Sequence, residues 1–215
     1  MTAETRGRRP SAKAEQAMAT RVRIVDAATE LFVSEGFLTT TMSGIAKHAG
    51  VAVQTLYLSF GSKASILKAV FDAALAGGDN ADGILEQEWF QAVIDEPDGP
   101  TALRLFCANA SEVIGRASLV FNVIRMAGAD PKVAELLAEN RQLRLGGYRL
   151  IRDALVTRPG YSPTLDPDVA LGIMFAVVSE DTYLMLVHEY GWSHERWTEW
   201  ITETIVSQLF PKENS

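Results

Sequence analysis

Apolar positions recur at helical spacing along the N-terminal part of the chain. One stripe, at i, i+4, i+7 and i+8, runs through residues 14–35 and is followed by Gly36. Because glycine adopts positive φ without steric cost, it is common just past the last turn of a helix. A second stripe predicts another helix at 62–76. The apolar residues of the two stripes are Ile24, Ala28, Leu31, Phe32, Ile66, Leu67, Val70, Phe71 and Ala74.

Two shorter helical patterns lie between these stripes, at 41–49 and 53–60, and they meet at Gly50. Thr41 is placed to cap the first of them, since its hydroxyl can accept a backbone N–H that lacks a partner. Ile45 and Ala49 are four residues apart and point inward together. Two short helices joined by a tight glycine turn are typical of a helix-turn-helix. The same spacing also fits a plain helical hairpin with a solvated polar face.

The second short helix carries different residues on its two faces. Val53, Leu56 and Phe60 are spaced i, i+3 and i+7, which predicts a buried stripe. Glutamine can pair with N6 and N7 of adenine, and hydroxyl groups can bond phosphates or base edges. The outer face therefore favours a DNA groove as its partner. Its residues are Gln54, Thr55, Tyr57, Leu58 and Ser59.

The rest of the chain also predicts helices, so the fold class is all-α. Strand-like alternation is absent from the sequence, and clusters of proline and glycine separate the helical segments. The predicted body helices are 100–115, 117–127, 131–157, 166–190 and 193–209. With the break at Gly77 and Gly78, the chain divides into a basic N-terminal arm (1–13), a three-helix head with the helix-turn-helix (14–62), a connecting helix (63–78) and a C-terminal helical bundle for ligand binding and dimerisation (79–215).

Two of the body helices predict a contact between subunits. The run 171–178 is apolar on every side, and such a helix must be covered from several directions. The last helix offers a matching aromatic-rich face, so an isologous homodimer would pack these helices as a four-helix bundle. Alternatively, both helices only close the core of a single chain. The predicted interface residues are Leu184, Val187, Trp197, Trp200, Ile201, Ile205 and Leu209.

A polar break inside that apolar segment contains Glu180 and Asp181. Two carboxylates among apolar neighbours are costly to bury unpaired, so they reach solvent or the interface, pair with arginine, or face a ligand cavity. The body also holds large aromatic and flexible side chains with a few polar groups, which suit both an ordinary core and a pocket for an apolar or amphipathic small molecule. The candidates for this effector pocket are Trp89, Phe90, Phe106, Phe121, Asn122, Arg125, Met126, Met174, Phe175, Val178 and Tyr183.

Charge is distributed unevenly along the chain. Residues 1–70 carry nine Lys and Arg against five Asp and Glu, or 9 − 5 = +4, whereas residues 71–215 carry 11 against 22, or 11 − 22 = −11. A positive head on an acidic body favours a polyanion as partner, and it argues against the alternative of a helical protein-interaction module without sequence-specific DNA binding. Arg6, Arg8 and Arg9 form either a solvated tail or an arm that contacts phosphates or a minor groove.

Composition argues against several other classes of function. A lone Cys107 excludes an internal disulfide and a cysteine-built zinc site, and its apolar surroundings predict a buried thiol. The three histidines have no metal-ligand spacing, and no catalytic motif or phosphate loop occurs, so we expect no enzyme, metal or cofactor. No apolar run approaches the roughly 20 residues of a membrane span, and no apolar stretch follows the first arginines. We therefore expect a cytoplasmic protein without membrane contact.

The segment from Thr41 to Lys63 resembles the DNA-binding motif of the tetracycline-repressor (TetR) family of bacterial regulators. It has the pattern Thr-x-x-x-Ile-Ala-x-x-Ala-Gly-Val-x-x-x-Thr-Leu-Tyr-x-x-Phe-x-Ser-Lys. The resemblance implies a homodimer that reads a palindromic operator, more often as a repressor, and is released when a small molecule binds the body. It also implies that Thr41 and Ser43 lie at the DNA backbone and that Lys63 meets a phosphate. Val53, Gln54, Thr55, Tyr57, Leu58 and Ser59 would form the recognition surface.

Overall fold

A computed structural model describes residues 12–77 and 83–212, and the described residues contain helices but no strands. The chain divides into two compact units, Met1–Val70 and Phe71–Ser215. The division falls within one long helix, whereas the glycines of the sequence had placed it after that helix. We refer to the first unit as the head and to the second as the body.

The head consists of three helices and the first half of a fourth. They are α1 (Ala12–Glu35), α2 (Met42–Ala49), α3 (Val53–Phe60) and α4 (Lys63–Ala76), of which α4 continues into the body. Ile24, Phe32, Ile45 and Leu56 are fully buried between them. Most residues of the two predicted stripes are confirmed as core of the head, whereas Leu31 is half-buried and the last two stripe residues of α4, Phe71 and Ala74, belong to the body.

Local signals fix the ends of α1 and α2. Gly36 and Gly50 follow these helices with φ of 83° and 66°, values that side chains with a Cβ rarely adopt. Thr41 caps α2, because its Oγ1 accepts the N–H of Gly44 at 3.0 Å. The turn into α3 is thus specified by residues next to it in the sequence.

The body contains the remaining helices, which pack around one apolar core. They are α5 (Glu88–Asp95), α6 (Gly99–Met126), α7 (Pro131–Leu155), α8 (Pro167–Val177), α9 (Glu180–Tyr183) and α10 (His194–Leu209), with a 3₁₀ turn at Ile84–Glu86 and a π-helical segment at Leu184–Glu189. Asp98, Asp130, Asp166 and Ser193 cap α6, α7, α8 and α10, since each side chain accepts backbone N–H groups of the first turn. Cys107 is fully buried in the core, and burial raises the pKa of its thiol to about 12.

Two predicted helix boundaries are wrong. Residues 100–115 and 117–127 form a single helix, α6. Gly115 lies inside this helix and does not end it. A Cβ at this position would lie 3.3 Å from both the Tyr183 hydroxyl and the His194 ring, so glycine lets these two side chains pack closely against α6. The sequence interpretation also missed α5.

The apolar segment 166–190, expected as one helix, is interrupted after α8. Ser179 is extended, and its side chain accepts the N–H of Thr182 at 3.2 Å to start α9. Carbonyl groups freed by the break are satisfied locally: the Tyr148 hydroxyl donates to Val178 O and the Thr182 hydroxyl to Val177 O, both at 2.8 Å. By length and composition alone, Pro167–Glu189 would pass for a membrane span, contrary to the expectation from the sequence. In this structure 44% of its most apolar window is buried within the chain.

The predicted dimer interface, which combines Leu184 and Val187 with five residues of α10, is wrong for most of its residues. Leu184 is buried, and Val187 and Trp200 are half-buried against the same core. The amphipathic stripe of α10 packs inside its own subunit, so it closes the core of one chain. The α10 residues with no exposed surface are Trp197, Ile201, Ile205 and Leu209.

Candidate DNA-binding surface and effector cavity

The outer face of α3 is exposed as the sequence predicted. Tyr57 is 54% and Leu58 86% exposed, Gln54 and Ser59 are also exposed, and Thr55 is half-buried. This surface combines amide and hydroxyl groups with two large apolar contacts. Such a set can read base edges through hydrogen bonds and thymine methyl groups through apolar contact.

Val53 is the one residue of α3 for which the spacing and the resemblance disagree. The spacing predicts burial with Leu56 and Phe60, but Val53 is 38% exposed while Leu56 is fully buried. Val53 is the first residue of α3, so it lies at the edge of the head core. It belongs to the same exposed surface as Tyr57, and its predicted burial is wrong.

Two interactions with α1 hold α2 and α3 in place. The guanidinium of Arg21 lies 4.2 Å from the centre of the Phe60 ring, and its Nη1 donates to Ser59 O at 3.4 Å. On α2, His48 Nε2 lies 2.6 Å from a carboxylate oxygen of Glu30. No local sequence pattern reveals the contact of Arg21 with α3, because the two lie about 40 residues apart in the chain.

Thr41, Ser43 and Lys63 lie beside the turn but use their side chains differently. The hydroxyls of Thr41 and Ser43 are exposed and 3.1 Å apart. The Lys63 ammonium instead donates to Phe37 O at 2.5 Å and Thr40 O at 2.8 Å, and lies 4.3 Å from the Phe37 ring centre. Lys63 thus binds the end of the loop before α2. Arg6, Arg8 and Arg9 of the predicted arm lie outside the described residues.

The body contains a cavity of about 190 Å³ beside the break between α8 and α9. One face of α7 lines it with Leu137, Asn140, Arg141 and Arg144, and Phe121, Phe175 and Asp181 complete its wall. The α7 residues are spaced i, i+3, i+4 and i+7, which places them on one helical face. That spacing is visible in the sequence, but the sequence interpretation did not use it.

Two of the eleven predicted effector-pocket residues, Phe121 and Phe175, line this cavity. Arg125 lines a second, shallower depression of about 300 Å³ together with Asp181 and Met185. Met126 is 75% exposed, and Trp89 and Asn122 are half-buried. The remaining five belong to the packed core: Phe90, Phe106, Met174, Val178 and Tyr183. For those five residues, the sequence pattern indicated burial in the core and not a position in the wall of the cavity.

The two carboxylates of α9 pair with different arginines. Glu180 is 3% exposed and forms an ion pair with Arg144, whose guanidinium also lies 4.2 Å from the Phe175 ring centre. Burial lowers the pKa of the Arg144 guanidinium. Asp181 is at the surface, with its oxygen 3.5 Å from Arg125 Nη1. Both carboxylates therefore pair with arginine, and Asp181 in addition reaches solvent and lines the cavity beside α7.

The two histidines of the body, His188 and His194, make polar contacts within it. His188 Nε2 lies 3.2 Å from the Ser118 hydroxyl, and His194 Nδ1 lies 3.2 Å from the Tyr183 hydroxyl. Within residues 12–77 and 83–212, no group of three or more His, Cys, Asp or Glu side chains is placed to hold a metal ion.

Known proteins resemble both parts of the chain. Residues 24–70 match the family model of bacterial regulatory proteins of the tetR family. The HTH-type transcriptional regulator SrpR of Pseudomonas putida is 43% identical over 63 residues, which are 29% of this chain and 28% of SrpR. The alignment therefore spans less than a third of the length of SrpR. The residues that match the family model include all of α3.

Two solved structures share the fold over most of the chain. NalD, the secondary repressor of the MexAB-OprM multidrug efflux pump in Pseudomonas aeruginosa, superposes with a TM-score of 0.67 at 17% identity and covers 92% of this chain and 99% of NalD. FadR from Bacillus subtilis, in complex with stearoyl-CoA, superposes with a TM-score of 0.66 at 22% identity and covers 87% of this chain and 98% of FadR.

Proposed function

The chain belongs to the TetR family of bacterial regulatory proteins, and we propose that it is a transcriptional repressor that a small molecule releases from its operator. The observation that carries this proposal is the exposed face of α3, which lies within the family's DNA-binding domain. The net charge of +4 over residues 1–70 also favours binding to a polyanion. The same charge argues against the alternative of a helical protein-interaction module.

The proposed contact places α3 in the major groove, with α2 at the phosphate backbone. Gln54, Tyr57 and Leu58 would face base edges, whereas the hydroxyls of Thr41 and Ser43 would bond phosphate oxygens. Lys63 is less suited to a phosphate contact, since its ammonium already binds two carbonyl groups of the head. Arg6, Arg8 and Arg9 would add contacts from the arm.

A homodimer would present two such helices to a palindromic operator. The α10 stripe is buried in its own subunit, so the dimer needs another surface. On α8, Val169 is 54% exposed, Gly172 and Ala176 are exposed, and Ile173 is half-buried. These residues are spaced i, i+3, i+4 and i+7 and form an apolar stripe, which would pack against its symmetry mate. Substitution of Ala176 by a charged residue would then separate the subunits.

Release from DNA would pass through α4, because residues 63–70 of this helix belong to the head and residues 71–76 to the body. An effector bound in the body would shift the body half of α4 and so change the separation of the two heads. Support for effector binding comes from the cavity beside α7 and from the fold shared with FadR, whose structure contains stearoyl-CoA.

The deciding experiment compares two tyrosine variants on an operator obtained by in-vitro selection from random DNA. Tyr57→Ala should weaken operator binding by about 5- to 150-fold, since a base contact contributes about 1–3 kcal/mol. Tyr190→Ala is the matched control, because Tyr190 is 75% exposed but lies in the body. Both variants should keep the wild-type molar mass in light scattering. Normal operator binding by Tyr57→Ala would contradict the assignment of α3, and failure to select any sequence would contradict the proposed function.

A further inference from the structure

We propose that the cavity beside α7 binds a small aromatic carboxylate, whose anionic group pairs with Arg141 and Arg144 and whose ring lies between Phe121 and Phe175. This inference specifies the chemical class of the effector and rests on the proposed function only for its consequence, operator release. Binding itself depends on the charges, donors and apolar surfaces of the cavity.

The first support is an uneven balance of charge. Three arginines, Arg125, Arg141 and Arg144, lie at or beside the cavity, against the carboxylates Glu180 and Asp181. Glu180 pairs with Arg144 and Asp181 with Arg125; among the described residues, no carboxylate lies within ion-pair distance of Arg141. Burial is the main cause of the lowered pKa of the Arg144 guanidinium, and the positive charge of Arg141, which lines the same cavity, adds a smaller repulsion in the same direction. An anion between them would relieve that repulsion.

The second support is an unused hydrogen-bond donor. Arg144 donates to Glu180 through Nη1, but its buried Nε has no acceptor among the described residues. Leaving such a donor unpaired costs free energy that an added acceptor recovers. A carboxylate has two oxygens in the plane that a guanidinium fork requires, and Asn140 adds an amide donor at the same wall.

The apolar side of the cavity sets the size and shape of the ligand. Phe121 from α6, Leu137 from α7 and Phe175 from α8 provide three apolar surfaces, and the Phe175 ring is already held under the Arg144 guanidinium at 4.2 Å. A volume of about 190 Å³ is below the roughly 300–1,000 Å³ of pockets for drug-sized ligands. The cavity therefore fits a carboxylate on one or two fused rings and is too small for a long acyl chain.

The experiment is a calorimetric titration of the full-length protein with three probes of one shape: 2-naphthoate, 2-naphthamide and 2-naphthylmethylammonium. They present an anion, a neutral amide and a cation on the same ring system. Wild-type protein should bind the carboxylate at least about tenfold more tightly than the amide, and the ammonium least, because charge-assisted bonds to guanidinium are worth about 1.4 kcal/mol or more. Equal affinities, preference for the ammonium, or no binding of any probe would overturn the proposal.

Matched variants on α7 locate the site. Arg141→Gln should reduce the preference for carboxylate over amide to less than about threefold, whereas Arg149→Gln, which removes an exposed arginine eight residues further along, should keep it. Arg141 is exposed, so circular dichroism should show that both variants stay folded. Retained preference in Arg141→Gln, or equal loss in Arg149→Gln, would place the ligand elsewhere and contradict the assignment.

A second experiment distinguishes ligand binding at this site from release of the protein from its operator. The naphthoate is added to the preformed complex with selected operator DNA, and release is measured by fluorescence anisotropy. Binding with release supports both proposals. Binding with the expected Arg141 dependence but without release supports the ligand site and contradicts effector coupling through it.

Discussion

Glu180 and Asp181 are consecutive carboxylates with opposite environments, and we predict that they differ sharply in their contribution to stability. Glu180 is 3% exposed and pairs with Arg144, whose side chain is 16% exposed. The side chains of Asp181 and its partner Arg125 are 59% and 46% exposed, with 3.5 Å between the charged atoms. Replacing either carboxylate leaves an arginine without its ion-pair partner, but only Arg144 would then be a largely buried charge, with the carboxylate of Asp181 as its remaining negative neighbour.

The expected magnitudes follow from that difference. Breaking a buried ion pair by removing one partner costs about 3–5 kcal/mol, whereas an exposed pair contributes about 0–1 kcal/mol. For a domain of this size, 1 kcal/mol shifts the Tm by about 2–4 °C. Glu180→Leu should therefore lower the Tm by about 6–20 °C, and Asp181→Asn by no more than about 4 °C.

The measurement is thermal and urea denaturation of both variants and of the double variant Arg144→Met with Glu180→Leu. The double variant should recover most of the loss, since apolar residues of similar volume replace a buried pair with little cost. If Glu180→Leu lowers the free energy of unfolding no more than Asp181→Asn does, burial of the ion pair has no effect on stability and the reasoning is refuted. If the double variant is as unstable as Glu180→Leu, the loss comes from packing and not from an unpaired charge.

Two further predictions concern the head. At the base that Leu58 contacts, replacing thymine by uracil in the selected operator should weaken binding of the wild-type protein by about 5- to 10-fold. The same replacement should not change binding of Leu58→Ala, because that variant lacks the leucine side chain that contacts the thymine methyl. An equal response of both proteins would rule out this contact. Lys63→Met should destabilise the head by about 1.5–3 kcal/mol in urea denaturation, since it removes charge-assisted bonds to backbone carbonyls. It should leave the salt dependence of DNA binding unchanged, and a shallower slope with unaltered stability would instead assign Lys63 to a phosphate.

The helix-turn-helix could be predicted closely because its signals are local. Thr41 and Gly50 act on residues within one turn, and Leu56 is buried where its spacing places it. The exposed face of α3 follows directly from the same period. Val53 is exposed and Phe60 half-buried where burial was predicted, since periodicity cannot show that a stripe has reached the edge of the core.

The body was predicted less well because its boundaries depend on contacts between distant residues. Gly115 resembles a helix end in the sequence, yet it lies inside α6 to make room for Tyr183 and His194. The end of α8 depends on the Tyr148 hydroxyl, which comes from another helix and satisfies a freed carbonyl. Neither contact leaves a local pattern.

The sequence by itself determined the all-helical class, the position of the DNA-binding motif and the face of α3 that meets solvent, because helix period, caps and glycine turns act over a few residues. Tertiary structure alone decided which apolar stripe closes the core, which arginine pairs with which carboxylate, and where a cavity remains. Trp197 illustrates the limit: its stripe shows that α10 must be covered, but not whether its own chain or a second one covers it. Burial depends on the packing of the whole domain, whereas helix formation is largely a property of neighbouring residues.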